Sequence, residues 1–131
     1  MQLTLALLTT LLTATTLAAP STSLSKRSSY PQITVSLIDD RTGASAKATV
    51  LGDGLARNIT DLFHGTVMDR NGSIIATSAQ LTQFADATKC FFQNYNWIIN
   101  MNGRELQYVD LDGDEKSAAP VILNGFNLQC Q

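Results

Sequence analysis

The chain has 131 residues, with nine Lys and Arg, eleven Asp and Glu, one histidine and two cysteines. Its length suits one ordinary domain, and 44% hydrophobic with 15% charged residues suits a packed fold rather than a disordered chain. A net charge of −2 argues against a nucleic-acid binder, and one histidine with two cysteines excludes zinc-finger and iron–sulfur scaffolds.

Leu3 to Ala19 form an apolar run without a side-chain charge, too short and Thr-rich for a comfortable membrane span. Small residues at −3 and −1 place a signal-peptide cleavage after Ala18, so residues 1–18 read as a signal peptide. A retained anchor is the competing reading, but no polybasic flank follows the run. Residues 19–27 read as a short pro-segment that ends in the dibasic pair Lys26-Arg27; an ordinary charged linker is the alternative. Residues 28–131 then form a single secreted β-rich domain, which keeps seven basic and eleven acidic residues and a net charge of −4.

Secretion makes the cysteines readable. In an oxidising compartment, and without metal spacing, Cys90 and Cys130 pair as one disulfide. A reactive thiol is the alternative, and it would need an orienting base. Asn58-Ile59-Thr60 and Asn71-Gly72-Ser73 are glycosylation sequons, permitted in that compartment.

In chain order, Gln32–Ile38 alternates polar and apolar residues as a half-buried strand does. Turn residues 39–43 lead to a return strand at 46–50, and Gly52-Asp53-Gly54 breaks it. Residues 58–65 predict a short helix, with Asn58 as N-cap and Gly65 at C′. Thr66-Val67-Met68 and Ser73–Ala76 predict strands on either side of an Asn71-Gly72 turn. Thr77-Ser78-Ala79-Gln80 matches a capping box, and Leu81, Phe84 and Ala85 at i, i+3, i+4 predict a second short helix to about Ala87. Strand-like runs follow at 89–93, 97–101, 105–109, 120–123 and 126–130. Short strands at this spacing, split by Gly and Asn turns, predict a mainly β fold: a small antiparallel β-sandwich or barrel with one or two short helices.

The candidate chemistry is sparse. A nucleophile–histidine device would have to use His64, whose neighbour Gly65 points instead to a helix terminus. Asp110-Leu111-Asp112-Gly113-Asp114-Glu115 spaces carboxylates as a calcium loop does, but Glu115 and Val121 stand where an EF-hand needs Gly and Glu. A solvated turn is the plainer reading, and we expect no metal and no cofactor. No feature marks a carboxylate pair for glycoside hydrolysis. Phe91, Phe92, Tyr95, Trp97 and Tyr108 crowd into a stretch rich in Asn and Gln. Core packing explains most such aromatics; any that are exposed suit sugar stacking or a protein hot spot. Tyr95, Trp97 and Tyr108 are the candidate binding surface.

Four segments lie in a familiar order: Ile33 to Ala46, continuous through Asp39-Asp40-Arg41-Thr42-Gly43; Asp53-Gly54; Leu62-Phe63-His64-Gly65-Thr66; and Ala76 to Phe84. Over about residues 33 to 90 the chain resembles the small secreted fungal hypersensitive-response-inducing proteins. The resemblance implies an extracellular elicitor or effector that modulates plant defence and cell death by surface recognition. It supplies no catalytic residues. Its implied partner is a plant extracellular or cell-surface protein, with no nucleic acid and no membrane span. The rival reading is a secreted carbohydrate-binding module or small wall-active enzyme that meets a wall polysaccharide through Trp97 or Tyr95.

Overall fold

The computed structural model describes residues 30–131. The expected signal peptide with its cleavage at Ala18, and the expected pro-segment ending in Lys26-Arg27, lie outside the described residues. β1 (Gln32–Asp39) and β2 (Ala44–Leu51) form the first hairpin, closed by Gly43 N–H donating to the Asp39 carbonyl at 2.8 Å. Ile33, Val35 and Leu37 are fully buried on one face of β1. Its polar face is covered as well, leaving Thr34 and Ser36 buried, because β1 lies inside its sheet rather than at an edge.

β3 (Arg57–Asn58) leads into α1 (Ile59–Phe63), which buries Ile59 and Phe63 at i, i+4. Gly65 at φ 74 ends it, in the left-handed conformation that glycine adopts without cost. Asn58 stands at the N-cap but makes no side-chain capping bond; its Nδ2 lies 3.5 Å from Asp61 instead. The strand expected at 66–68 is a turn, held by Thr66 N–H and Oγ1 on the Phe63 carbonyl. β4 (Asp69–Arg70) and β5 (Ser73–Ala76) flank Asn71 and Gly72, both at positive φ as a tight primed turn requires.

The expected helix at 77–87 is a strand, β6 (Ser78–Gln83). Ala79 and Leu81 point into the core, and β6 pairs with β1 on one side. Tertiary pairing overrides the local pattern, and the Thr77 and Ser78 hydroxyls serve Asp40 rather than a helix end. The pairing shifts by one residue at Thr82, between Val35–Leu81 and Thr34–Gln83, which disguises the alternation in the sequence.

β7 (Lys89–Asn94) and β8 (Trp97–Asn102) form a hairpin with Tyr95 at its tip. β9 (Tyr108–Asp110) starts later than the expected 105–109, and β10 (Val121–Ile122) and β11 (Asn127–Cys130) complete the chain. Three antiparallel sheets result: β2-β1-β6-β9, β10-β5-β4 and β3-β11-β7-β8. All three contribute to one core, whose largest buried side chains include Phe63, Phe92 and Phe126. The domain is mainly β with one short helix and one disulfide.

Cys90 and Cys130 are direct partners in the β7–β11 ladder, with Cα atoms 4.1 Å apart. Lys89 and Gln131 beside them exchange both backbone bonds at 2.8 Å, so the cysteines occupy the adjacent non-hydrogen-bonded pair, where side chains approach most closely. Among the described residues no helix is long and apolar enough to cross a membrane.

Candidate binding groove

β8 and β9 are the facing edges of the two four-stranded sheets. Asn102 N–H donates to the Leu106 carbonyl at 3.0 Å, yet the two strands form no ladder. The turn between them explains why. Asn102 Oδ1 accepts from the N–H groups of Arg104 and Glu105 at 2.9 and 2.7 Å, and Gln107 Nε2 donates to the Gly103 carbonyl at 3.0 Å. This wide, side-chain-braced loop carries Tyr108 across to pair with Gln80 of β6. The seam left between the sheets is an open groove of about 800 Å³.

One wall is β8, with Trp97, Ile98 and Asn100; the other is Tyr108 and Asp110 of β9 and the loop 111–118. Trp97 is 46% exposed and rests edge-on against the buried Phe126, ring centroids 5.1 Å apart at 69°. Tyr108 is 48% exposed. Tyr95 stands apart at the hairpin tip, 92% exposed at φ 51, a conformation sparsely populated by aromatic residues. The structure therefore brings Trp97 and Tyr108 to one groove and leaves Tyr95 outside it. Ile98 and Leu106, also exposed, join the groove. Neither carries a signal in the sequence, because isolated aliphatics in strands usually face the core.

The groove is acidic. Asp40 reaches it from the β1–β2 turn, and its Oδ2 accepts from Thr77 Oγ1 and Ser78 Oγ at 2.7 Å and from the Tyr108 hydroxyl at 3.3 Å. The Thr77 and Ser78 bonds hold its carboxyl below the usual carboxylate range. Asp110 titrates upward, chiefly through burial and next through its bond to Asp112. Asp112 is lowered, first by the Asp114 backbone N–H and next by Asp110. Of this pair, Asp110 holds its proton to the higher pH and Asp112 loses its proton first. Glu115 adds a further carboxylate to the lining, and Lys116 is the lining cation.

The remaining candidates lie elsewhere. His64 Nδ1 sits 3.3 Å from Asp69 Oδ2 just beyond α1, 84% exposed. Cys90 and Cys130 are bridged, so neither offers a thiol. Asn58 and Asn71 are both exposed, and neither lines the groove. In the acidic loop, Asp112 Oδ1 accepts from Asp114 N–H at 2.9 Å and Asp114 Oδ1 from Lys116 N–H at 3.0 Å, the geometry of successive turns. Among the described residues no three His, Cys, Asp or Glu side chains are grouped to hold a metal ion.

No protein-family model matches this chain, and no curated protein or solved structure matches it.

Proposed function

We propose that this protein is a secreted recognition protein of the elicitor or effector type, which modulates plant defence and cell death by surface recognition without turnover. One observation carries the reading: Trp97, Ile98, Leu106 and Tyr108 stand exposed around a single open groove. Exposed apolar side chains gathered at one place on a small domain mark an interaction surface. Trp and Tyr are the residue types that dominate binding hot spots. The groove is wide open to solvent, whereas an acid–base pair at work on a substrate needs shielding. The implied partner is an extracellular or cell-surface plant protein. The disulfide suits an oxidising compartment.

The test is leaf infiltration of purified, oxidised protein beside a denatured and alkylated sample and a Trp97→Ala/Tyr108→Ala variant. The reading expects local cell death or a defence burst from the folded wild-type protein alone. A full response to the unfolded sample, or none across several hosts, refutes it. A second reading, a carbohydrate-binding module, is favoured by the placing of the Trp97 and Tyr108 rings beside Asn100 and Asp110, which can accept sugar hydroxyls. Pull-down on chitin and β-glucan tests it, with Trp97→Ala expected to abolish retention.

A further inference from the structure

Three edges of the four-stranded sheets invite comparison. β2 carries Lys47 at mid-strand, and β3 is only two residues long. Both are devices that discourage pairing with another chain. β8 has neither: six residues, Trp97–Asn102, contain no charge and no proline. Its hydrogen-bonding phase is fixed by its neighbours. Lys89 pairs outward to Gln131, and Asn102 N–H points away from β7 to Leu106. By strand alternation, the backbone N–H and C=O groups of Ile98 and Asn100 also face away from β7, toward the groove. Among the described residues they have no hydrogen-bond partner there. The same stretch is flanked by exposed Ile98 and Trp97 and looks across at Asp110, with Asp40, Asp112 and Glu115 in the lining.

We propose that the free edge of β8 takes an extended, lysine- or arginine-bearing segment of a protein partner by strand addition. Main-chain bonds to Ile98 and Asn100 would supply register, and alternate side chains would fall toward the groove and toward solvent. The excess of carboxylates over Lys116 around the groove selects a cationic segment over an acidic one. A sugar would use the rings and carboxylates but leave the repeat of backbone groups unmatched. The inference rests on the recognition reading above and gives its partner a chemistry.

The probe is a capped peptide alternating lysine and valine, added to the oxidised protein at low salt. Two analogues accompany it, one with glutamate for lysine and one N-methylated at alternate backbone nitrogens. The expected result is binding of the lysine peptide about tenfold or more tighter than of either analogue. Amide exchange should slow at Ile98 and Asn100. Asp110→Asn/Asp112→Asn should weaken the lysine peptide while circular dichroism shows the fold intact. Equal binding of the N-methylated peptide, or protection absent from Ile98 and Asn100, overturns strand addition. So does a groove that answers chito-oligosaccharide and not the lysine peptide. Leaf response is scored on the same preparation: necrosis without peptide binding overturns this inference alone, and peptide binding without necrosis supports it while removing the elicitor reading.

Discussion

Arg70 and Asp39 stand thirty-one residues apart in sequence, yet Arg70 Nη2 donates to Asp39 Oδ2 at 3.2 Å. Arg41 clasps the same carboxylate with Nε and Nη2, both at 3.0 Å, while its backbone N–H reaches Oδ1 at 3.1 Å. Asp39 is 1% exposed, whereas both arginines reach solvent. A buried anion thus fastens the end of β1 to β4 of the small sheet. Asp39→Asn removes the charge and misplaces one donor–acceptor pair, and should cost about 2 kcal/mol in urea unfolding. A change indistinguishable from zero would show that the arginines hold this carboxylate without stabilising the fold.

Acid should destabilise the domain. Asp39 lies below its ordinary value of 3.8, chiefly through its bond to Arg41, and Asp53 is lowered to about 2 by Arg57. Asp40, Asp69 and Asp112 are lowered too, by hydroxyl or backbone donors. Between these folded values and the unfolded one, the unfolded chain binds more protons. Their contribution is therefore whole above the unfolded value and is lost as pH falls through the folded values. Asp110 has the opposite sign: raised in the fold, it is relieved by protonation. Five lowered groups outweigh one raised group, so thermal melts should show a lower midpoint near about pH 2.5 than near about pH 6.

Gly103 has a specific reason to be glycine. A Cβ there would press into the Ala85 carbonyl, while Gly103 N–H donates to the Thr88 carbonyl at 2.9 Å. Backbone on both sides leaves nothing flexible to yield. Gly103→Ala should destabilise by about 1–3 kcal/mol, as overpacking does. It should also loosen the Asn102–Leu106 loop that holds the groove open, visible as faster amide exchange at Leu106.

Reduction of the disulfide should be costly. The bridge closes forty residues of chain between β7 and β11. Cys90→Ala/Cys130→Ala should lose about 4 kcal/mol relative to the oxidised protein, read from paired denaturant melts.

Strong local signals carried far into this fold. The β1–β2 hairpin, the Asn71-Gly72 turn, the short helix with Gly65 at its end and the β7–β8 hairpin were all legible, because each depends on neighbours in the sequence. β6 was not. Its Thr77 to Gln80 imitates a capping box, and the extra residue at Thr82 spoils the period of two. Trp97 and Tyr108 were legible as candidates, since aromatics beside amides draw notice wherever they fall. The groove itself was hidden. It exists because Asp40 from one turn meets Tyr108 from another, sixty-eight residues on, and no local pattern encodes that meeting.

The position of β11 sets an order on how the protein can be made. It lies between β3 and β7, which precede it in the chain, and supplies Cys130 to the bridge. During synthesis, β3 and the β7–β8 hairpin must therefore wait with their apolar faces uncovered until the last of the described strands is delivered. The domain cannot be sealed from its N-terminal half, and the joint oxidation of the Cys90 and Cys130 thiols by an external thiol oxidant belongs to the closing moments of biosynthesis. Premature truncation before Asn127 would yield not a shortened domain but an open sheet with a free thiol.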